Sequence, residues 1–222
     1  MFKRYLSCAV GAMLCCAAAV AQDKPKEKAT EAAKGAAAQA TGGEPDMKAM
    51  MEMMEKIAAP GDNHKLLADM VGEWTYVNKW WMDPSAEPEQ STGTMKSEAL
   101  FGGRYIVEKY TGSMKMPGPD GKPVEKEFLG MSLTGYDNVK GKFVNTWIDN
   151  MGTGIFMSEG DYEAGTKTFT YRGEAEFMPG MKSKIRMAVK CVDKDKHVFE
   201  WFEDRGDGNE MRTMEITYTR KK

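Results

Sequence analysis

Residues 71–81 read VGEWTYVNKWW, and this short stretch decides how the rest of the chain is interpreted. Aromatic and β-branched residues dominate it, as they do in β-strands. Side chains alternate across a strand, so Trp74, Tyr76, Asn78 and Trp80 share one face. Three aromatic rings on one face need an apolar environment. The stretch therefore predicts the first strand of a sheet whose inner face is enclosed.

The sequence after residue 81 repeats this composition in about nine further segments, separated by short polar linkers such as DNVKG, NMG, EAG and GDGN. No linker has room for a crossover helix, so consecutive strands should pair antiparallel. On the last segment, Met214, Ile216 and Tyr218 alternate with polar residues. Because so many strands must curl or split, we expect a mainly β fold. The specific prediction is an up-and-down antiparallel barrel of about ten strands over residues 62–222.

One stretch inside this region, WIDNMGTGIF at residues 147–156, has the density of tryptophan, acid and glycine that often marks a catalytic loop. A hairpin explains it equally well. In that interpretation a tight turn at Asn150-Met151-Gly152 joins two strands, with Asn and Gly supplying positive φ angles. Nearby carboxylates such as Asp149, Glu159 and Asp161 are then solvated. We favour the hairpin.

The two ends of the strand region carry a recognisable pair. Gly72-x-Trp74 enters the first strand, and Arg220 ends the last one. This resembles the Gly-x-Trp signature of lipocalins and related calycin barrels, in which a C-terminal arginine packs over the tryptophan. The resemblance implies that Trp74 closes one end of the barrel and that the Arg220 guanidinium stacks on its ring.

Longer strings are similar to one family. They include HKLLADMVGEW, LFGGRYIVE, GMSLTGYDNVKGKFVNTWIDNMGTGI, HVFEWFEDRG and MEITYTR, and they span about residues 64–221. They resemble the bacterial domain-of-unknown-function 1579 family, whose members are lipocalin-like barrels. The resemblance implies the fold and no specific activity.

The N-terminus has the order of a secretory signal peptide over residues 1–21: a basic start, an apolar stretch and a small-x-small site at Ala19-Val20-Ala21. A lipoprotein leader is the alternative, since Cys15 and Cys16 follow Leu14. We expect cleavage near Ala21 and a bacterial periplasmic or secreted location. The apolar stretch is too short for a membrane span.

Cleavage would change the charge and the cysteine content. Removal of Lys3 and Arg4 takes the formal charge from −2 to −4, because two positive charges leave, and this balance does not favour nucleic acid. Only Cys191 would remain, so no internal disulfide could form. Residues 22–46 lack aromatic and β-branched apolar side chains, which is typical of a flexible tether.

A methionine-rich helix is predicted over residues 47–59. Met47, Met50, Met51 and Met54 follow the spacing of one helical face in MKAMMEMMEKIA. Such a face favours contact with the barrel or with a partner, and Cu(I) binding by thioethers is an alternative. A second short helix should be capped by Asp62 or by the next residue and should end near Gly72.

The two histidines and the single remaining cysteine suggest no catalytic or metal site. His64 belongs to the second helix, and His197 lies beside lysines at a strand start, where we expect it to be solvated. Related haem-binding barrels, the nitrobindins, carry their ligand histidine near the chain end, so haem is only an alternative. No zinc-ligand spacing or nucleophile motif is present. Cys191 is expected to be an inert, buried thiol.

These observations favour a non-enzymatic protein that binds a small apolar or amphipathic molecule in the barrel, with an enzyme at the barrel mouth as an alternative. The methionines of the Pro-Gly turns, Met114, Met116, Met178 and Met181, should lie around one rim and favour entry of such a molecule. A ten-stranded barrel has room for a cavity. The candidate ligand-binding residues are Tyr76, Trp80, Tyr136, Trp147 and Trp201, with Arg186 for an anionic group. The sequence leaves the oligomeric state open.

Overall fold

A computed structural model describes residues 46–83, 85–120, 122–204, 206 and 208–222. The expected leader and almost all of the expected tether lie outside the described residues. Two short helices precede the strands: α1 at Met47–Ala58 and α2 at Asp62–Ala68. Neither described helix combines the length and the hydropathy of a membrane-spanning segment.

Ten strands follow in the described part of the chain. They are β1 Gly72–Trp80, β2 Glu89–Leu100, β3 Tyr105–Pro117, β4 Pro123–Asp137, β5 Lys142–Asp149, β6 Phe156–Glu163, β7 Thr168–Met178, β8 Met181–Asp193, β9 Lys196–Asp204 and β10 Met211–Arg220. The short linkers leave each strand beside its predecessor, and all pairings are antiparallel.

The first and last strands close the barrel. β1 pairs with β10 in a register that places Trp74 opposite Arg220 and Trp80 opposite Met214. The predicted antiparallel barrel of about ten strands is therefore confirmed. The end at which β1 begins is called the closed end below, and the opposite end, where β1 stops at Trp80, is called the mouth.

Trp74 and Arg220 meet at the closed end. The Trp74 side chain is 0% exposed, and its indole N–H donates to the Met70 carbonyl at 3.0 Å. The Arg220 guanidinium carbon lies 4.1 Å from the Trp74 ring centroid. Its three nitrogens donate to backbone carbonyls: Nη1 to Val71 at 2.7 Å, Nη2 to Asp69 at 2.7 Å and Nε to Lys194 at 2.9 Å. One side chain thus joins the chain end to the segment that precedes β1.

Gly72 is required at this junction for two reasons. Its φ of +138° is rarely adopted by residues with a side chain. A Cβ atom would also collide with Nη1 of Arg220. The glycine of the Gly-x-Trp pattern therefore makes room for the guanidinium.

α2 covers the closed end from outside the strands. Its Leu67 is 1% exposed and, with Met70, belongs to the same apolar cluster as Ile106, Phe143 and Phe169 inside the barrel. The helix begins after Gly61, whose N–H donates to His64 Nδ1 at 3.0 Å. The predicted cap at Asp62 is wrong, because Asp62 is already in the first turn. The helix also ends earlier than expected, and Gly72 belongs to β1.

α1 has the predicted helical conformation but no buried residue. Its C-terminal end is held by two side chains of the barrel loops. Arg104 Nε donates to the Ala58 carbonyl at 3.0 Å, and Asn138 Nδ2 donates to the Ile57 carbonyl at 2.7 Å. The methionine face therefore does not pack on the barrel.

The connection between β5 and β6 differs from the predicted tight turn. β5 ends at Asp149 and β6 begins only at Phe156, so six residues, 150–155, intervene. Gly152 does not adopt a positive φ. Asn150 explains the difference: its backbone N–H donates to the Leu129 carbonyl at 3.0 Å, and its Oδ1 accepts from the Leu129 N–H at 3.0 Å. The loop is thereby fastened to β4 instead of folding back directly.

Candidate functional site

The inner wall of the barrel consists of alternate residues of each strand. Near the closed end these residues are buried and pack together, as in Phe143, Phe169 and Tyr171. Farther toward the mouth, inward residues such as Glu108 and Asn145 are only half-buried, although they face the inside of a closed sheet. Surface that is accessible there must face a space within the barrel. The interior is therefore filled at the closed end and open toward the mouth.

Aromatic rings form much of the wall around this space. The Tyr110 ring centroid lies 5.1 Å from that of Trp147, 6.1 Å from that of Tyr76 and 6.3 Å from that of Tyr218. On β6 and β9, Phe156 and Trp201 meet at 5.2 Å. Such rings offer flat apolar surface to a bound molecule.

Trp147 lies close against the backbone of the neighbouring strand. A Cβ atom on Gly130 would stand 2.5 Å from Cη2 of the indole, so only glycine leaves room for the ring there. Gly130 is opposite Asp149 in the β4–β5 pairing, and Asp149 Oδ2 accepts from the indole N–H at 2.7 Å. The ring is thus fixed by contact on one side and by a hydrogen bond at its edge.

Glu108 is the acidic centre of the interior. Its Oε2 accepts from the Ser132 hydroxyl at 2.6 Å and from the Tyr110 hydroxyl at 3.2 Å. Burial raises the pKa of Glu108 above its usual range, and the two hydrogen bonds lower it only in part. Ser97 on β2 and Ser132 on β4 are its directly paired neighbours, so all three side chains share the inner face.

Tyrosine hydroxyls from β3 itself and from two other strands, β7 and β10, lie near this carboxyl. Burial, and then the charge of Glu108, raise the pKa of Tyr110 and of Tyr171 well above ordinary values. Burial is also the main reason that the pKa of Tyr218 is raised, with the charge of Glu108 contributing. These phenols remain neutral hydrogen-bonding groups at any ordinary pH.

A second carboxylate lies nearer the mouth on β9. Glu203 Oε1 accepts from the Thr213 hydroxyl at 3.0 Å and from the Trp201 indole N–H at 3.3 Å. Thr213 sits at a bulge in the β9–β10 pairing and is buried. Together with Asp149, Glu203 places negative charge along the path from the mouth to Glu108.

Comparison with known proteins fits this architecture. The family described as "Protein of unknown function (DUF1579)" has a model that matches residues 59–220, which include α2 and all ten strands. The chain belongs to this family. Among curated proteins, no sequence matches.

Two solved structures that match this DUF1579 chain have low sequence identity. The crystal structure of Rv2717c from M. tuberculosis is 12% identical, covers 74% of this chain and 100% of its own, and superposes with a TM-score of 0.52. The S-type phycobiliprotein lyase CPES from Guillardia theta is 10% identical and covers 76% of this chain and 97% of its own, with a TM-score of 0.46. The first likeness supports the shared fold.

The aromatic residues singled out from the sequence occupy three different places in this DUF1579 barrel. Tyr76, Trp147 and Trp201 belong to the inner wall. Tyr136 lies at the closed end, against His64 at 5.8 Å and the ring of Phe143. Trp80 stands at the mouth and is 38% exposed. The structure brings Tyr76 and Trp147 together through Tyr110, whose ring touches both.

Arg186 lies on the outside of the wall. It alternates with the buried Ile185 and Met187, and its Nε donates to Glu210 Oε2 at 2.6 Å. Its guanidinium carbon is 3.7 Å from the ring centroid of Phe202. An inward role for Arg186 with an anionic ligand group is therefore wrong, because the side chain faces away from the interior.

His197 is buried, which corrects the expectation of a solvated strand-edge histidine. Its ring lies 4.5 Å from that of Trp74, and neither ring nitrogen has a hydrogen-bond partner. Burial, and then the positive charge of Arg220, lower the pKa of His197. The residue is thus a neutral part of the closed end.

The described residues contain no group of three or more His, Cys, Asp or Glu side chains able to hold a metal ion. Cys191 is half-buried, and burial raises the pKa of its thiol to about 11. The thiol is therefore protonated and unreactive at neutral pH.

Two shallow grooves on the outer wall are separate from the interior. One, of about 400 Å³, runs over a threonine-rich face of β1, β2 and β10, and the other, of about 380 Å³, runs beside Arg186 between side chains of both charges. The polar and aromatic groups that converge around Glu108 lie on the opposite face of the sheet. We therefore place the candidate site inside the barrel.

Sequence reasoning missed Glu108, Tyr110 and Ser132, the polar centre of the site. The sequence carries only a partial signal: Ile106, Glu108 and Tyr110 alternate on β3 and share a face, but the opposite face is equally mixed in polarity. A glutamate at such a position is a candidate for burial.

Proposed function

We propose that this DUF1579 protein is an exported, non-enzymatic barrel that binds a small apolar or amphipathic molecule in its interior. The observation that carries the proposal is the accessible surface of inward residues, Asn145 and Trp147 among them, inside a closed barrel. A barrel of ten strands is wider than one whose interior side chains simply fill. Its aromatic wall and few polar groups are typical of small-molecule sites.

The methionines of the mouth support access to this space from one end. Met114 and Met116 end β3, whereas Met178 and Met181 flank the β7–β8 turn. Both hairpins lie at the mouth, and the side chains of Met178 and Met181 are largely exposed. Flexible thioether side chains can adapt to an entering apolar molecule.

Binding can be tested with Nile red, a neutral dye that becomes fluorescent in apolar surroundings. Asn145 faces the interior, and the next residue, Thr146, faces outward on the same strand. The Asn145→Phe variant should weaken dye binding about tenfold or more, since the added ring occupies the space. Thr146→Phe is the matched control and should bind within about twofold of the wild type.

Circular dichroism establishes that both variants are folded. If the dye binds equally to the wild type and to both variants, it binds outside the barrel and the proposal fails. Native mass spectrometry of protein purified from its own periplasm then identifies the ligand class, as an extra mass that is lost on denaturation.

Export is supported by the order of charged, apolar and small residues over residues 1–21. Its test is the intact mass of the protein isolated from the periplasm, which should correspond to a chain that begins at Gln22. A chain that keeps Met1 and stays in the cytoplasm would contradict export but leave the binding proposal intact.

A further inference from the structure

Glu108 is a half-buried carboxyl inside the barrel, and its hydrogen-bond partners are neutral hydroxyls. Ser132 and Tyr110 donate to it, and its pKa is not influenced by any lysine or arginine. Buried carboxyls in proteins usually have a cationic partner. Among the described residues, none places a cationic group beside Glu108.

The inner wall as a whole is acidic. At the inward positions of the described strands, arginine and lysine occur only at Arg220, which is hydrogen-bonded at the closed end, and at Lys126, which is exposed on the β3–β4 hairpin. Asp149 contributes a further inward carboxylate on the side of the mouth. A low-dielectric wall with charge of one sign attracts the opposite charge into the space.

Two buried hydroxyls of the inner wall have no hydrogen-bond partner. Ser97 Oγ belongs to a residue that is 2% exposed and is the direct cross-strand neighbour of Glu108. Ser158 Oγ, also on a residue that is 2% exposed, lies on β6 opposite Asn145. Unpaired polar groups in such places are costly. Neither oxygen has accessible surface, so the contact with a ligand would come from the Glu108 carboxylate and not from these hydroxyls.

Aromatic faces complete the surroundings of the carboxyl. The rings of Tyr76, Tyr110 and Tyr218 lie within 6.3 Å of one another on β1, β3 and β10. A cation beside a carboxylate and over such rings gains from both interactions. A carboxylate or phosphate would instead meet Glu108 with like charge.

We propose that the interior binds the protonated nitrogen of an amphipathic amine, with Glu108, which accepts hydrogen bonds from Ser132 and Tyr110, as its counter-charge. The apolar part of the amine extends along Trp147, Phe156 and Trp201 toward the mouth. This inference rests on the proposed function and deepens it, since it names the ligand class. The ligand is identified by its chemistry, an apolar body with one ammonium group.

Three probes of equal length isolate the charge: 4-phenylbutylamine, 4-phenyl-1-butanol and 4-phenylbutyrate. Calorimetric titration of the full-length protein near neutral pH should show the amine binding about tenfold or more tightly than the alcohol, and the carboxylate binding most weakly. This order is read from the wild type alone, so it does not depend on the folding of a variant.

The Glu108→Gln variant keeps the shape of the side chain and removes its charge. It should bind the amine and the alcohol within about twofold of each other, while its affinity for the alcohol stays near that of the wild type. Glu98→Gln is the matched control, because Glu98 lies on the outer face of β2, ion-paired with Lys96 at 3.0 Å. That variant should keep the wild-type preference.

The number of protons released on binding gives a second, independent test of the role of Glu108. At a pH just above the ordinary pKa of a glutamate, binding of the amine should release protons from the wild-type carboxyl, because burial raises the pKa of Glu108 and the cation lowers it again. The groups that face it, Tyr110, Tyr171 and Tyr218, stay neutral throughout. Titrations in two buffers of different ionisation enthalpy should therefore differ for the wild type and agree for Glu108→Gln.

The outcomes separate the two proposals. If the alcohol or the carboxylate binds as tightly as the amine, or if Glu108→Gln keeps the amine preference, the amine inference is overturned while interior binding stands. If none of the three probes binds and Nile red does not respond to Asn145→Phe, interior binding itself is refuted and the inference with it.

Discussion

Replacing Arg220 tests whether one side chain closes the barrel. In the structure its guanidinium makes three hydrogen bonds to the carbonyls of Val71, Asp69 and Lys194 and lies over the ring of Trp74. The Arg220→Ala variant removes all four interactions. Arg220→Lys keeps the positive charge but cannot reach three carbonyls at once, because the ammonium group is a compact donor.

The expected loss follows from these contacts. A hydrogen bond from a charged group contributes about 1.5–3 kcal/mol when buried. The Arg220 side chain is 26% exposed, so water can replace part of each bond and about 1 kcal/mol per bond is a reasonable value. Contact with the indole adds about 1 kcal/mol. We therefore expect Arg220→Ala to lower the free energy of unfolding by about 4 kcal/mol and Arg220→Lys by about 2 kcal/mol.

Urea unfolding followed by tryptophan fluorescence measures this difference. With a slope of about 2 kcal/mol per molar urea, the alanine variant should unfold at about 2 M less urea. Arg212→Ala is the matched control on β10, since the 39% exposed Arg212 also makes two charged hydrogen bonds, but to carboxylates of the adjacent β9 and of β10 itself, Glu200 and Glu215. It should cost about 1 kcal/mol or less. Equal losses for the two alanine variants would refute the proposed role of Arg220 in closure.

Further predictions concern buried titratable groups and the packing of the inner wall. His197→Gln should reduce the loss of stability between about pH 7.5 and about pH 5.5. The lowered pKa of His197 stabilises the folded wild type above the ordinary histidine pKa of 6.5, and this contribution is lost as pH falls. An unchanged difference in urea midpoints between the two pH values would contradict this. The free energy of unfolding of Glu108→Gln, relative to that of the wild type, should increase from about pH 4 to about pH 8. Burial raises the pKa of Glu108 in the folded state, so the wild type loses stability as pH rises above 4.5, whereas the glutamine variant does not. If the stabilities of the two proteins change in parallel with pH, burial does not raise the pKa of Glu108. Gly130→Ala should displace the Trp147 ring, lower stability by about 1–3 kcal/mol and change the tryptophan emission. If the emission of that variant equals that of the wild type, the position of the Trp147 ring does not depend on Gly130.

The sequence was sufficient to predict the fold because two independent patterns agree. Alternation along β1 and β10 assigns an inner face to each strand, and the pair Trp74 and Arg220 marks the strands that must meet. Short polar linkers then leave one topology, in which each strand pairs with its predecessor. Both patterns depend little on packing details.

The candidate site was less accessible to the same reasoning. On β3, one face carries Ile106, Glu108 and Tyr110, and the other carries residues of equally mixed polarity, so alternation alone does not assign the inner face. His197 was expected to be exposed because Lys196 precedes it. Neighbours in a strand point to opposite faces, and the lysine therefore carries no information about the histidine. Only the pairing of His197 with Tyr218 across β9 and β10 reveals its burial.

The loop at residues 150–155 shows a third limit. Its composition suggests a tight turn, but its conformation depends on bonds from Asn150 to Leu129 and to the Glu127 carbonyl, on a strand that lies some twenty residues earlier. Turn rules consider only the residues of the turn itself. The position of Arg186 was likewise not predictable from its own strand, because its contacts, Glu210 and the ring of Phe202, come from other parts of the chain.

The pairing of Trp74 with Arg220 has a consequence for biogenesis. A ribosome that has made nine of the ten strands has produced a curved ladder with two free edges, and each edge can pair with another chain. Contacts between residues so distant in the sequence form late and slow folding. A chain without β10 should therefore be prone to aggregation rather than slightly loose, and a chaperone that covers unpaired edges would matter most before β10 pairs with β1.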